Sequence, residues 1–283
     1  MHNDHKAIVE YYDTADVDYR LLWHLNSHMA MHFGFWDEGI TRLRDALGRE
    51  NEVLAAMAQV KSGTTVLDAG CGVGGSAIYL AAQHGAAVEG ITLSQKQVDE
   101  AVLNARRCGV EKSTMFSRQD FTKTNFDSET FDVVWAIESV CHAENKADFI
   151  QEAFRVLKPS GRLIIADYFL TRDDRSPEEN EILRRWVHGW KMNELVTRDA
   201  FRHYLHDQSF EDIIYEDASR RVMPSLRRLA RMSVPARIIT YVAQKLRVRS
   251  ATQTGNVVAA HSQYQAMRRG LWQYGIYLAR KSL

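Results

Sequence analysis

Two short stretches of the chain carry residue types that could do chemistry. The first is Val66-Leu67-Asp68-Ala69-Gly70-Cys71-Gly72-Val73-Gly74-Gly75. Glycines at a strand-to-helix turn let the backbone approach a ligand more closely than larger residues would. The spacing Gly70-x-Gly72-x-x-Gly75 also fits a dinucleotide fingerprint. Asp68, however, stands just ahead of the first glycine, where a carboxylate repels a pyrophosphate but suits an ammonium or a sulfonium. The next expected strand ends in Ile91-Thr92-Leu93-Ser94, without the acid that a dinucleotide ribose prefers, so hydride-transfer chemistry is disfavoured. The second stretch is Glu138-Ser139-Val140-Cys141-His142. Glu138 and His142 can each accept a proton, or can simply position a bound group. Cys141 reads as packing.

Other chemistry-bearing residues weigh less. His24, His28 and His32 share one helix face by spacing, but no carboxylate joins them and Gly34 ends the helix. No metal is expected, and His32 reads as a pocket residue. Trp36 and Tyr168 fall at expected site loops, whereas Trp186, Trp190, Tyr264 and Trp272 read as core.

The elements that must position these residues alternate between strand and helix from Thr64 onward. Strands are expected at Thr64–Asp68, Ala86–Thr92, Thr114–Arg118, Phe131–Ile137, Arg162–Phe169, Phe210–Tyr215 and Leu271–Arg280. Helices are expected at Ser76–His84, from Ser94 to about Cys108, and at Lys146–Leu157, the last stopping at Lys158-Pro159-Ser160-Gly161. Two more follow at Glu178–Met192 and Thr197–His206, and the first 60 residues read as helical with a break at His32-Phe33-Gly34-Phe35-Trp36. This pattern implies a Rossmann-like α/β fold: a seven-stranded, mostly parallel sheet with N-terminal helices and a helical insertion before the last strand. The implied organisation is an N-terminal cap at 1–60, a core at 61–219, an insertion at 220–270 and a final strand at 271–283.

Several of these motifs resemble one enzyme family. Asp68-x-Gly70-x-Gly72-x-Gly74 is similar to the first motif of class I S-adenosylmethionine-dependent methyltransferases. Glu89-Gly90-Ile91-Thr92-Leu93-Ser94 with Gln97 resembles the branch of sterol C-methyltransferases and cyclopropane fatty-acid synthases, where Thr and Gln take over the ribose role. Gln119-Asp120-Phe121 resembles the adenine-binding motif, and Ala136-Ile137-Glu138-x-x-Cys141-His142 resembles sterol 24-C-methyltransferases. Tyr11-Tyr12-Asp13 and His32–Trp36 resemble the segment that closes over the cofactor in sterol and tocopherol enzymes. The resemblance covers about residues 8–170. It implies S-adenosylmethionine as cofactor, contacted by Asp68, Gly70, Gly72, Thr92, Leu93, Gln97, Asp120, Phe121, Ile137, His142 and His32. Where sterol enzymes carry an aromatic Tyr-Glu-x-Gly-Trp-Gly signature, this chain has Asp18-Tyr19-Arg20-Leu21-Leu22-Trp23, which points away from a sterol ring.

The composition, 45% hydrophobic and 25% charged, is that of a globular protein, and no apolar run reaches the roughly 18–20 residues that span a bilayer. The polar start, Met1-His2-Asn3-Asp4-His5-Lys6, lacks the core of a signal peptide, and three cysteines without a C-x-x-C favour a reducing compartment. The cytoplasm is the expected location. The net charge of zero hides an asymmetry: residues 218–283 hold thirteen Lys and Arg and no Asp or Glu. Such a segment can meet a phosphate, a membrane surface or nucleic acid, or pair with the acidic body. It could equally serve as a lid or an oligomer arm. No Asn-Pro-Pro-Tyr-like motif follows the fourth strand, which argues against base methylation.

The expected function is therefore methyl transfer to a small lipophilic acceptor, foremost C-methylation of an isoprenoid or prenyl alkene through a carbocation. Glu138, His142 and Tyr168 are the candidate catalytic residues, and Trp36, Tyr19 and Trp23 the candidate pocket residues. Ring C-methylation of a prenylated phenol or quinone, N- or O-methylation of a natural product, and cyclopropanation of an acyl chain are the rival chemistries. A nucleic-acid-binding protein is the rival outside enzymology.

Overall fold

The computed structural model describes residues 5–22, 25, 29–245 and 250–283. Residues 13, 15–19, 21–22, 237–239, 241–245 and 251–252 are described by backbone alone. Helix α1 (His5–Leu22) precedes an extended segment, and α2 (Leu43–Met57) packs an apolar stripe that includes Ala46, Leu47 and Leu54. The alternating core then follows: β1 (Thr65–Ala69), α3 (Gly75–His84), β2 (Ala87–Thr92), α4 (Gln95–Arg107), β3 (Thr114–Arg118), β4 (Phe131–Ile137), α5 (Lys146–Val156) and β5 (Leu157–Leu170). Next come α6 (Pro177–Gly189), α7 (Arg198–Asp207) and β6 (Phe210–Asp217). The expected helical insertion lies before the last strand as α8 (Ser219–Lys245) and α9 (Ala251–Arg268), and β7 (Trp272–Lys281) follows.

The seven strands form one sheet in the order β3-β2-β1-β4-β5-β7-β6. Strands β1 to β5 pair in parallel, while β7 inserts antiparallel between β5 and β6. The strand order reverses between β1 and β4, so their carboxyl ends open a crevice at the switch point, where open α/β sheets bind ligands. Asp68 pairs in register with Trp135 across that seam. Trp186, Trp272 and Tyr274 are fully buried beneath it, so Trp186 and Trp272 belong to the core as expected.

One boundary differs from the sequence reading. The Pro159–Gly161 breaker does not separate α5 from the fifth strand, because β5 already starts at Leu157. Register shifts between Phe131 and Val133, and Ser160 takes a positive φ of 62°, so the breaker is absorbed as an irregularity within the strand. Cys71, Cys108 and Cys141 are all free, and no described helix is long and apolar enough to cross a membrane.

Candidate active site

The glycine turn after β1 is shaped by contacts that leave no room for side chains. Gly70, Gly72 and Gly74 have φ values of 100°, 53° and 89°, a region that favours glycine. Gly70 and Cys71 donate backbone N–H bonds to Ile91 O at 3.0 and 2.9 Å, which fixes the turn on the end of β2. A Cβ on Gly70 would lie 2.4 Å from the Ser139 Cβ, and one on Gly75 would lie 2.1 Å from Met29 O. Asp68 is buried, and its Oδ2 has no hydrogen-bond partner among the described residues. Burial pushes its carboxyl up to about 7. A buried acceptor facing a cavity, beside a cradle only glycine can form, fits the amino and sulfonium groups of S-adenosylmethionine.

Thr92 and Gln97 meet at the end of β2, where Thr92 Oγ1 donates to Gln97 Oε1 at 2.5 Å. Ser94 caps α4 by accepting from Gln97 N at 3.3 Å, so the cap itself brings Gln97 to the cavity wall. Thr92, Leu93, Gln97, Phe121 and Ile137 all line the same cavity of about 240 Å³, together with Asp68, Gly70 and Gly72. Asp120 does not line it. Its Oδ1 instead accepts from Thr122 N and Thr122 Oγ1, both at 2.8 Å.

Glu138 begins the turn after β4 with a φ of 48°, a strained conformation for a side-chain-bearing residue. Its backbone N–H donates to Ala166 O at 2.8 Å. Its Oε1 accepts from Phe33 N at 2.8 Å, and its Oε2 accepts a short hydrogen bond from the Tyr168 hydroxyl. The Tyr274 hydroxyl lies 3.1 Å from Oε1 and 2.7 Å from Glu50 Oε1. Glu50 also accepts from Gly34 N at 2.9 Å and pairs with His32 Nδ1 at 2.7 Å. Burial foremost, then the Glu50 charge, drives the Glu138 carboxyl well above its ordinary range. The rings of Phe33, Trp186, Trp272 and Tyr274 all pack edge-on to Tyr168.

His142 closes the turn. Its Nδ1 sits 3.3 Å from Lys191 O and its Nε2 2.8 Å from the Tyr12 hydroxyl. A hydrogen on Nδ1 bonds the carbonyl, leaving Nε2 to accept from Tyr12. Burial lowers the imidazole to about 4, so it is neutral at physiological pH. Behind the turn, Asp167 accepts from Cys141 N at 2.9 Å and Tyr168 N at 2.8 Å. The Cys141 thiol is pushed up by burial, in keeping with packing rather than nucleophilic work.

Much of the remaining wall is apolar and comes from the helices outside the core. Ile8 and Val9 of α1 face Leu229, Met232 and Ala236 of α8 and Val257 of α9 across the cavity. Tyr11 of α1 donates to Asn256 Oδ1 of α9 at 3.1 Å, tying the N-terminal helix to the insertion. A surface groove lined by Pro224, Arg227, Arg228, Arg231 and Met232 shares Met232 with this cavity.

The structure thus brings together Glu138, His142, Tyr168 and His32 with the donor-site residues, except Asp120. Trp36 departs from the sequence reading: it does not line the cavity, because its indole N–H donates to Ser225 Oγ at 2.8 Å and holds the ring against α8. Trp23 and the side chain of Tyr19 lie outside the described residues, as do His24 and His28. Glu50 and Tyr274 escaped the sequence reading. Glu50 left a signal, since it falls within the buried stripe of α2 beside Leu47 and Leu54, where a charge needs a partner. Tyr274 left none, as β7 is buried almost throughout.

A methyltransferase domain family profile matches residues 67–165. The 27-O-demethylrifamycin SV methyltransferase of Amycolatopsis mediterranei is 33% identical over 195 residues, 69% of this chain and 71% of that protein. Sterol 24-C-methyltransferase ERG6 of Saccharomyces cerevisiae is 30% identical over 75% of this chain, which spans 55% of the yeast enzyme. Among solved structures, the [4+2]-cyclase SpnF superposes with a TM-score of 0.80 at 26% identity, covering 100% of this chain and 98% of SpnF. Geranyl diphosphate C-methyltransferase from Streptomyces coelicolor A3(2), in complex with Mg2+, geranyl diphosphate and S-adenosyl-L-homocysteine, shares the fold with a TM-score of 0.72 at 21% identity. That match covers 98% of this chain and 97% of the other.

Proposed function

We propose a reaction that proceeds from one premise: the chain belongs to the class I S-adenosylmethionine-dependent methyltransferases. S-adenosylmethionine supplies an electrophilic methyl group when bound. Asp68 receives the donor's cationic end, and Thr92 and Gln97 hold its ribose. Phe121 and Ile137 flank its adenine, while His32 and His142 bound its methionine part. The acceptor is a small lipophilic alkene of isoprenoid type, methylated at carbon, and it occupies the apolar chamber between α1, α8 and α9.

The observation that carries this reading is Glu138, a buried carboxyl at the mouth of β4, framed by Tyr168 and Phe33 and facing an apolar chamber. Methyl transfer needs aligned partners in a dry site, which enclosed apolar walls supply. An alkene that takes the methyl group becomes a carbocation. Aromatic faces stabilise a cation by ~0.5–2 kcal/mol each. Tyr168 and Tyr12 line the chamber for this role, and Glu138 takes the proton that the cation sheds. The likeness to the yeast sterol 24-C-methyltransferase and to the geranyl diphosphate C-methyltransferase supports C-methylation. The groove of Arg227, Arg228 and Arg231 suits a phosphate head group of such an acceptor.

A second reading, methylation of a phenol or hydroxyl on a prenylated or polyketide-like ring, is favoured by His142. Its Nε2 is held as an acceptor, so a hydroxyl that displaces Tyr12 meets a neutral imidazole nitrogen that can accept its hydrogen. Incubation with methyl-labelled S-adenosylmethionine and separate pools of prenyl diphosphates, sterols, prenylated phenols and macrolides tests both. Label at carbon of an isoprenoid product supports the first reading. Label only at oxygen or on a phenol ring supports the second, and substrate consumed without label overturns both.

A further inference from the structure

Two carboxyl groups lie deep in the protein with a single phenol between them. Tyr274 Oη is 2.7 Å from Glu50 Oε1 and 3.1 Å from Glu138 Oε1, and both Glu50 and Tyr274 are wholly buried. A phenol carries one hydrogen and donates to one carboxylate at a time. The other contact is favourable when that carboxyl is itself protonated and donates to the phenol oxygen. Two ionised carboxylates this close in a dry interior repel strongly. Neither makes an ion pair with a lysine or arginine among the described residues.

The number of donors decides where the proton rests. As a carboxylate, Glu50 accepts from His32 Nδ1, Gly34 N and the Tyr274 hydroxyl. Glu138 accepts from Phe33 N and the Tyr168 hydroxyl. The charge therefore belongs on Glu50 and the proton on Glu138.

We propose that the carboxyls of Glu50 and Glu138 share one proton through the Tyr274 hydroxyl, and that Glu50 and Tyr274 are positioning residues that set the protonation of Glu138. For Glu138 to become a proton acceptor, its O–H bond breaks as its proton passes to Tyr274 Oη. The phenol's original O–H bond breaks at the same time, and that proton forms a new O–H bond on Glu50. The negative charge moves from Glu50 to Glu138 and none leaves the cluster. A cation in the cavity that Glu138 lines favours this arrangement. The inference rests on Glu138 being the proton acceptor of the proposed reaction.

The titratable groups that face Glu138 are Glu50 from α2, Asp167 and Tyr168 from β5, Tyr274 from β7 and Cys141 from its own turn, with His32 beyond Glu50. Asp167, Tyr168 and Cys141 are common to every variant below, so the displacement on removing Tyr274 or Glu50 isolates the shared proton. Activity on the identified acceptor is measured against pH. Tyr274→Phe keeps the ring and removes the relay; kcat falls at least about tenfold near neutrality, KM for the donor stays within about twofold, and the acid limb moves to higher pH. Glu50→Gln removes the carboxylate that receives the relayed proton, so Glu138 must release its proton to solvent and the acid limb moves to higher pH, by less than in Tyr274→Phe because no Glu50 charge opposes that ionisation. A profile that stays at the native position in either variant, or an acid limb that moves to lower pH in Glu50→Gln, overturns the proposal. Infrared spectroscopy of the native protein gives a reading that does not depend on the folding of Tyr274→Phe or Glu50→Gln. A protonated-carboxylic-acid carbonyl band at neutral pH, lost in Glu138→Gln, supports the shared proton, and its absence overturns it. A fully active Glu138→Gln overturns the proposed reaction itself. An inactive Glu138→Gln with unmoved profiles in the other two overturns only the shared proton.

Discussion

Tyr12 of the N-terminal helix donates its hydroxyl hydrogen to His142 Nε2 over 2.8 Å, joining two residues 130 positions apart. One comes from the cap and the other from the turn after β4, so the bond spans the cavity's outer and inner walls. A hydrogen bond of this kind is worth ~0.5–1.5 kcal/mol net. Tyr12→Phe is expected to raise the donor dissociation constant between about two- and tenfold. Calorimetric titration checks it, and an unchanged constant removes Tyr12 from the closing segment.

His142 gives a pH signature. Burial lowers its imidazole from 6.5 to about 4, so the unfolded chain binds a proton that the folded protein refuses between these values. Its contribution is intact above pH 6.5 and is lost as pH falls toward 4, by roughly 3 kcal/mol at most. His142→Gln is expected to lose less stability than the native protein between pH 7 and pH 4.5. Urea midpoints at the two pH values provide the comparison.

Asp68 is expected to act in the opposite sense. Burial raises its carboxyl from 3.8 to about 7, so the folded state keeps a proton that the unfolded chain releases in that window. The associated stability is present below pH 3.8 and is lost as pH rises through 7, by roughly 4 kcal/mol at most. Asp68→Asn should therefore leave the ligand-free protein as stable or more stable at pH 8, yet weaken donor binding at least about tenfold. A variant that is destabilised without losing donor affinity would make Asp68 a structural residue.

Two glycine substitutions separate shape from backbone strain. Gly63 and Gly70 both have positive φ, but an added Cβ meets nothing within 4 Å at Gly63 and the Ser139 Cβ at 2.4 Å at Gly70. Gly63→Ala is expected to cost ~1 kcal/mol, the left-handed penalty alone. Gly70→Ala should cost more and also weaken donor binding, because Ser139 must move. Thermal melts with and without donor check both.

The arginine groove is tested through its acceptor. If Arg227 and Arg231 bind a phosphate head group, the double alanine variant raises KM for a prenyl diphosphate at least about tenfold. KM for the matching prenyl alcohol should not change. Equal effects on both acceptors would remove the groove from substrate recognition.

Much of this site could be read from the residues in order. The Asp68–Gly75 turn, the Thr92–Gln97 pair and the Glu138–His142 turn each lie within ten consecutive residues. Strand ends and helix caps place them by local geometry, and the alternation of apolar strands and helices sets the parallel sheet that aligns them at one edge. Asp120 and Trp36 show where local reading ends. Each sits in the expected stretch of sequence, but Asp120 spends one oxygen on Thr122, and Trp36 is drawn to Ser225, 189 positions away. The chain order determined the donor cradle and the fold. Only the tertiary structure decided that Glu50 from α2, Tyr274 from β7 and Glu138 from the turn after β4 meet around one phenol. Their proton is set by the desolvation and charge of neighbours remote in sequence, and no spacing along the chain encodes that environment.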